Sequence, residues 1–264
     1  MKTSLVISTY NWPIALNITL LSVMNQTIKP DEIVIADDGS SKETQELIKV
    51  WQLKLSIPVI HSWQEDIGFR LATSRNKAIS KSSGDYIIMI DGDLVLHPKF
   101  IENHIQHCKK NQFTIGPRVM LNEDYSKKIL SENNAEFKVK ARNISNNKKN
   151  IVNSTFLSNL FSYKTKSFRQ VRACNIACFK SDLIKVNGFN ENFIGWGRED
   201  TELVVRLLNS NVVRKNIKFN ANTLHIFHKE NTRQRLAIND EILNKTIENN
   251  LKLCENGIDK YLNK

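Results

Sequence analysis

The stretch "IIMIDGDLVLHP" (residues 87–98) decides how this chain is read. Four apolar residues run into Asp91-Gly92-Asp93, and the chain then turns apolar again. A strand-like run that ends in two acids split by one glycine predicts a buried strand with a functional carboxyl end. Upstream, the same grammar repeats. "TSLVISTYN" (3–11), "DEIVIADDGS" (31–40), "IPVIHSWQ" (57–64) and "DYIIMIDGD" (85–93) read as strands. Between them lie three helical stretches: "WPIALNITLLSVMNQ", with Pro13 at its start, "KETQELIKVWQ", and "LATSRNKAISKS" closed by Gly84. Strand and helix alternate, so the first ~95 residues predict an α/β unit, βαβαβαβ around a parallel sheet.

Beyond residue 98 the pattern changes. "PKFIENHIQHCKKN" predicts a helix, "QFTIGPRVML" (112–121) a strand, and 122–170 a long polar excursion with a mobile part. Order returns at "ACNIACFKSDLIKVNGFNE", followed by an amphipathic helix at "EDTELVVRLLNSN" and a strand in "FNANTLHIFHKEN" running into a polar loop. The last ~30 residues read as helix. Without repeats or a Pro/Gly-rich linker, one domain of 1–264 with two lobes is expected: 1–98, then 99–232 carrying the basic excursion 122–170, and a helical tail (233–264).

Composition narrows the class. The formal charge is +11, and residues 109–180 hold 15 Lys/Arg against 4 Asp/Glu, so that segment carries the excess. Such a surface suits phosphates, anionic headgroups or nucleic acid, and also fits a solvated lysine-rich loop region. No apolar run is long enough to span a membrane. The N-terminus is too short and polar for a secretory signal, so a cytoplasmic protein is expected. Cys174 and Cys178 lie in an apolar run and read as core thiols rather than a zinc pair.

The acids Asp37-Asp38 and Asp91/Asp93 both sit at carboxyl ends of strands, where open parallel sheets bind ligands. "DDGS" alone also fits an Asx turn. Gly92 lets the backbone bend so that the carboxylates reach one ligand, and hard carboxylate oxygens suit Mg²⁺ or Mn²⁺ with a diphosphate. In "GWGRED" (195–200), Trp196 offers a face for a sugar or base. Glu199 and Asp200 stand at a helix start, where a carboxylate can act as a base. In "LHIFHKEN", His225 and His228 would point to opposite faces of an extended strand, with His228 the expected ligand. A dinucleotide oxidoreductase is excluded by "STYNWP" where GxGxxG is needed. A metal-dependent phosphohydrolase or nucleotidyltransferase, or a non-catalytic basic membrane or nucleic-acid binder, stay as alternatives.

Six segments in order, "VISTYNWP", "IVIADDGSS", "DIGFRLATSRNKAI", "YIIMIDGDLVLHP", "GFNENFIGWGREDTEL" and "HIFHKEN", resemble family 2 glycosyltransferases, which are inverting enzymes of the GT-A fold. Chondroitin-polymerase-type domains and β-1,4-galactosyltransferases look most similar. The resemblance implies a UDP-sugar donor taken by 1–98, a Mn²⁺ or Mg²⁺ ion, and an oligosaccharide or lipid-linked glycan acceptor taken by 99–232, with no nucleic acid; the basic segment, in a chain without a membrane span, suits peripheral attachment at the inner face of the cell membrane. It implies that Thr9, Tyr10, Asp37, Asp38 and Arg75 line the nucleotide site. Asp91 and Gly92 would meet ribose or metal, Asp93 and His228 the metal, and Trp196 the sugars. Asp200 would be the base, with Glu199 beside it. Arg198 stands where glycine is common, and His225 where the galactosyltransferases carry a methionine ligand.

Overall fold

The computed structural model describes residues 1–169, 171, 174–229 and 232–262. Strands β1 (Thr3–Thr9), β2 (Glu32–Asp37), β3 (Val59–Trp63) and β4 (Tyr86–Asp91) alternate with helices α1 (Pro13–Met24), α2 (Lys42–Lys54) and α3 (Leu71–Lys81). The four strands pair in parallel in the order β3-β2-β1-β4. Every residue of β1 and β2 is buried, as a parallel strand covered on both faces demands. Val6, Val34, Ile87 and Met89 pack into one face, and Leu5, Ile7, Ile33, Ile88 and Ile90 into the other.

The second half continues this sheet and adds another. In chain order it supplies β5 (Leu94–Leu96), α4 (Phe100–Gln106), β6 (Gln112–Ile115), β7 (Arg118–Leu121), α5 (Glu123–Ser131), β8 (Ile144–Asn146) and α6 (Thr155–Phe161). There follow β9 (Tyr163–Thr165), β10 (Asn175–Phe179), α7 (Lys180–Lys185), α8 (Glu199–Asn209), β11 (Val213–Asn216), β12 (Thr223–His225) and α9 (Leu236–Glu248). The large sheet runs β3-β2-β1-β4-β10-β6-β11-β9, and the small one β5-β12-β7-β8. Helix α1 lies between them. Its Leu16, Leu20 and Val23 join the large-sheet core, while Ala15 and Ile18 meet Val95, Val119 and Leu224 of the small sheet.

Four expectations are corrected. The single strand expected at 112–121 is two, because Gly116-Pro117 breaks it: Pro117 has no N–H for a ladder, and β6 and β7 enter different sheets. A Cβ on Gly116 would lie 2.4 Å from the Asn175 amide, which bonds the carbonyls of Pro117 and Ala221. The excursion 122–170 carries regular elements, starting with α5, whose Asn122 side chain accepts from the Tyr125 N–H at 2.9 Å. Strand β11 is an addition, too short at four residues for its alternation to stand out. The helical tail ends at Glu248. Asn250 turns left-handed, and a 3₁₀ turn at Ile258–Tyr261 buries Ile258 in the core. Ala173, Glu230 and Asn231 of the motif stretches lie outside the described residues, as do Gln170 and the last two residues of the tail. Among the described residues, no helix is long and apolar enough to cross a membrane.

Candidate active site

The carboxyl ends of β1, β2 and β4 open onto the same edge of the large sheet, because these strands are parallel neighbours. At β2, the two acids divide the work. Asp37 is fully buried and turned inward, accepting from the Ser40 N–H at 2.8 Å and pairing with His61 Nε2 at 2.8 Å. It shapes the turn that presents Asp38, the neighbour expected to meet the nucleotide. Asp38 accepts from the Arg70 N–H (2.8 Å) and Gln64 Nε2 (2.6 Å), and burial pushes its carboxyl up to about 6 against those bonds. Thr9 is buried, and its carbonyl accepts the Asp38 N–H at 3.1 Å. Tyr10 is half exposed and donates its hydroxyl to Asp66 at 2.9 Å.

At β4, Gly92 is required by close approach rather than by bending. Its N–H donates to the Ser8 carbonyl at 2.8 Å, and a Cβ would sit 2.9 Å from that oxygen. This locks the Asp-Gly-Asp corner onto β1. Asp91 then turns to Arg75 (Oδ1–Nη2 3.0 Å), and Asp93 turns the other way, toward the two histidines. His228 Nε2 lies 3.2 Å and His225 Nε2 3.6 Å from Asp93 Oδ2. The expected opposition of the histidines fails because β12 ends at His225, so the chain is no longer extended when it reaches His228. Their rings lie 5.3 Å apart.

Asp93, His225 and His228 each offer a ligand atom within 4.8 Å of the others. Among the described residues, Asp93 Oδ1 and His225 Nδ1 are buried without a hydrogen-bond partner. One carboxylate and two imidazoles, with orphaned buried atoms, fit a divalent cation, and the nitrogen donors suit Mn²⁺ better than the oxygen-seeking Mg²⁺. The sequence reading placed Asp91 with this group. In the structure His225 takes that third place. Its signal was the i, i+3 spacing to His228 just where the apolar strand gives out. His228 Nδ1 faces the Lys229 carbonyl at 2.8 Å, and the bond to Asp93 pushes its imidazole up to about 9. Arg118, from β7, adds a cation near this group and points Nη1 at Cys174 Sγ, 3.5 Å away.

Arg75 is the centre of the site. It comes from α3, is only 2% exposed, and donates from Nε to Ser8 Oγ at 3.1 Å. Nη1 reaches Asp200 at 2.8 Å and Glu199 at 4.0 Å, while Nη2 holds Asp91. One guanidinium therefore ties the Asp-Gly-Asp corner to the start of α8, the sort of planar fork that arginine alone provides. The resemblance implies a place for Arg75 near the base and diphosphate; its partners here are the acids of the site.

The start of α8 is formed by left-handed backbone at Gly195 (φ 77°), Gly197 (φ 103°) and Arg198 (φ 79°). Arg198, where glycine is common in the resembling family, carries that strain and pairs with Asp240 on α9 at 2.5 Å. Asn239 Nδ2 donates to the Gly197 carbonyl at 2.9 Å. Trp196 rises from this loop, partly exposed, with the Arg233 guanidinium 5.3 Å from its ring. Asp200 keeps its carboxylate 20% exposed, whereas Glu199 is buried.

Burial, and then the neighbouring Asp200, push Glu199 up to about 8. An unfolded glutamate titrates near 4.3, so between about 4.3 and 8 the folded state holds a proton that the unfolded state has lost. Stability from this group therefore falls as pH rises through that window. Glu199→Gln is expected to gain stability over the native protein as pH goes from about 5 to about 9. Urea unfolding at both pH values checks this, and a pH-independent difference would refute it.

The family model for glycosyl transferase family 2 matches residues 4–172, and that for the N-terminal domain of galactosyltransferase matches residues 152–229. The chain belongs to glycosyltransferase family 2. It is 29% identical over 220 residues to a hyaluronan synthase of Pasteurella multocida, covering 77% of this chain and 22% of that protein. To a chondroitin synthase of Escherichia coli it is 28% identical over 227 residues, covering 77% and 32%. To validoxylamine A glucosyltransferase of Streptomyces hygroscopicus subsp. limoneus it is 27% identical over 219 residues, covering 77% and 47%. This family 2 chain thus spans between about a fifth and half of the length of these relatives. The crystal structure of S. aureus TarS matches with TM-score 0.63 at 16% identity, covering 94% of this chain and 40% of TarS, and the GT-A fold is shared.

Proposed function

We propose that this chain moves a hexose from a UDP-sugar to a hydroxyl of a glycan or glycolipid acceptor, inverting the anomeric centre, in the making of a bacterial surface polysaccharide. Galactose, N-acetylgalactosamine, N-acetylglucosamine and glucuronic acid are the candidate sugars. The observation that carries the reading is the Arg75 bridge, which holds Asp200 and Asp91 on one guanidinium beside the Asp93–histidine group. The polysaccharide setting is supported by the hyaluronan and chondroitin synthases among the relatives.

In this reading residues 1–98 take the donor and 99–232 most of the acceptor, with the tail from 233 bracing the loop under Trp196. Thr9, Tyr10 and Asp38 bound the uridine. Asp93, His225 and His228 hold a divalent cation, Mn²⁺ on the donor set above, which supplies positive charge for the diphosphate. Asp200 accepts the proton of the acceptor hydroxyl. The acceptor oxygen bonds to the anomeric carbon from the face opposite the nucleotide, the bond to the diphosphate oxygen breaks, and UDP departs with the electron pair. Trp196 gives the sugars an apolar face, and Glu199, protonated at neutral pH, donates a hydrogen bond to a sugar hydroxyl.

Asp93→Ala is expected to abolish Mn²⁺-dependent binding of UDP-sugars in calorimetry. In the native protein Mn²⁺ should bind more tightly as pH rises toward about 9, because His228 must shed its proton to become a ligand. Undiminished donor affinity in Asp93→Ala would sink the metal assignment. Release of inorganic phosphate without transfer of sugar would point instead to phosphoryl chemistry.

A further inference from the structure

Helix α6 is inside out. Its Ser158 is fully buried, with Oγ 3.0 Å from His107 Nε2 and 3.1 Å from Ser162 Oγ. Three of its four apolar residues point outward instead: Phe156 is 76% exposed, Leu160 66% and Phe161 52%, while Leu157 is half-buried. Tyr163, which begins the adjoining strand, is also exposed. A cluster of large apolar side chains held outward by a buried polar anchor marks an interaction surface rather than a stray exposed residue.

The charge around it has one sign. Residues 137–181 contain ten Lys/Arg and no Asp/Glu. Lys164 on β9 stands opposite Lys215 on β11, and Lys218 Nζ lies 5.8 Å from the Tyr163 ring. Lys148 and Lys149 are exposed on the turn that leads to α6.

The surface also lies toward the catalytic edge. Strand β10 is antiparallel to both β4 and β6, and β11 is parallel to β6, so β11 and β4 point the same way. Both ends of α6 are tied to the segment just past the carboxyl end of β11. The Ser154 N–H donates to the Phe219 carbonyl (2.7 Å), and the Lys218 N–H donates to Ser162 Oγ (3.0 Å). From β4 to β9 is four strand spacings, roughly 19 Å across the sheet.

We propose that α6 and its flanks dock this protein on an anionic phospholipid bilayer, with Phe156, Leu160 and Phe161 entering the interface and Lys149, Lys164 and Lys218 meeting headgroup phosphates. Apolar insertion combined with basic attraction is the physical recipe for reversible surface binding without a spanning helix. The charge argues against a second copy as occupant, since a self-complementary contact would press lysines against lysines. Leu160, 66% exposed, gives a base nothing to stack on, whereas acyl chains accept it and the phenyl rings alike, which favours lipid over nucleic acid. The inference is independent of the transfer reaction.

The test is co-sedimentation of the full chain with vesicles of mixed phosphatidylglycerol and phosphatidylcholine, against phosphatidylcholine alone. Binding is expected only with phosphatidylglycerol, and it should fall at high salt. The double substitution Phe156→Ser with Leu160→Ser should weaken partitioning by about 100-fold or more, given the apolar area withdrawn. Lys149→Glu with Lys164→Glu should weaken it and flatten the salt dependence. Both variants should keep the native unfolding midpoint and UDP-sugar affinity, because the altered side chains are exposed. The idea is overturned if native protein ignores phosphatidylglycerol vesicles, or if the serine variant still pellets with them. It is equally overturned if the native chain is a dimer that the serine variant splits, or if it binds DNA in preference to vesicles.

Discussion

Arg75→Met is expected to lower the unfolding free energy by about 3–5 kcal/mol, the usual cost of removing one partner from a buried charge network. The side chain is 2% exposed and faces three carboxyl groups, Asp91, Asp200 and Glu199. Methionine fills similar space but removes the guanidinium that these three acids share. Arg75→Lys should recover only part of the loss, because an ammonium cannot span Asp91 and Asp200 together as the planar fork does. Urea denaturation measures both. A loss under about 1 kcal/mol for the methionine variant would mean that the acids find other partners and that the bridge is incidental.

Asp200→Asn is expected to reduce sugar transfer by about 10²–10⁴-fold while leaving UDP-sugar affinity nearly unchanged, as removal of a general base should. The substitution keeps the shape and one acceptor oxygen for Arg75, so the scaffold should survive. Turnover measured with saturating donor, together with calorimetric donor binding, separates the two effects. Near-native turnover would transfer the role of base to another group. Glu199→Gln provides the contrast: it removes no base, so its loss of rate should be smaller than that of Asp200→Asn.

How much of this was legible in the sequence follows from the length and regularity of each element. Strands β1 to β4 are five to seven residues long and apolar, and helices of eleven to thirteen residues separate them, so both periods stand clear of noise. Strands β8, β9 and β12 have three residues each, too few for alternation to be read. Their positions are set by pairing partners far along the chain. The grouping of the site was legible from its motifs, which bring His228 to Asp93 and Asp200 to the Arg75 that also holds Asp91. It was obscure where the role depends on tertiary direction. Nothing local tells that Asp37 turns inward to His61, that Asp91 turns to Arg75, or that His225 joins His228 at Asp93 once the strand has ended.

The Asp93–histidine group straddles a seam. Asp93 lies on the link from the large sheet to the small one, and His225 is the last residue of a small-sheet strand, while Arg75 and Asp200 belong to helices on the large sheet. The spacing between the Asp93–histidine group and Asp200 is thus a gauge of how the two sheets are shimmed, and the shim is α1, through Ala15 and Ile18 on one side and Leu16 and Leu20 on the other. A change of side-chain volume in that helix would detune the reaction from a distance, with every reacting group still in place.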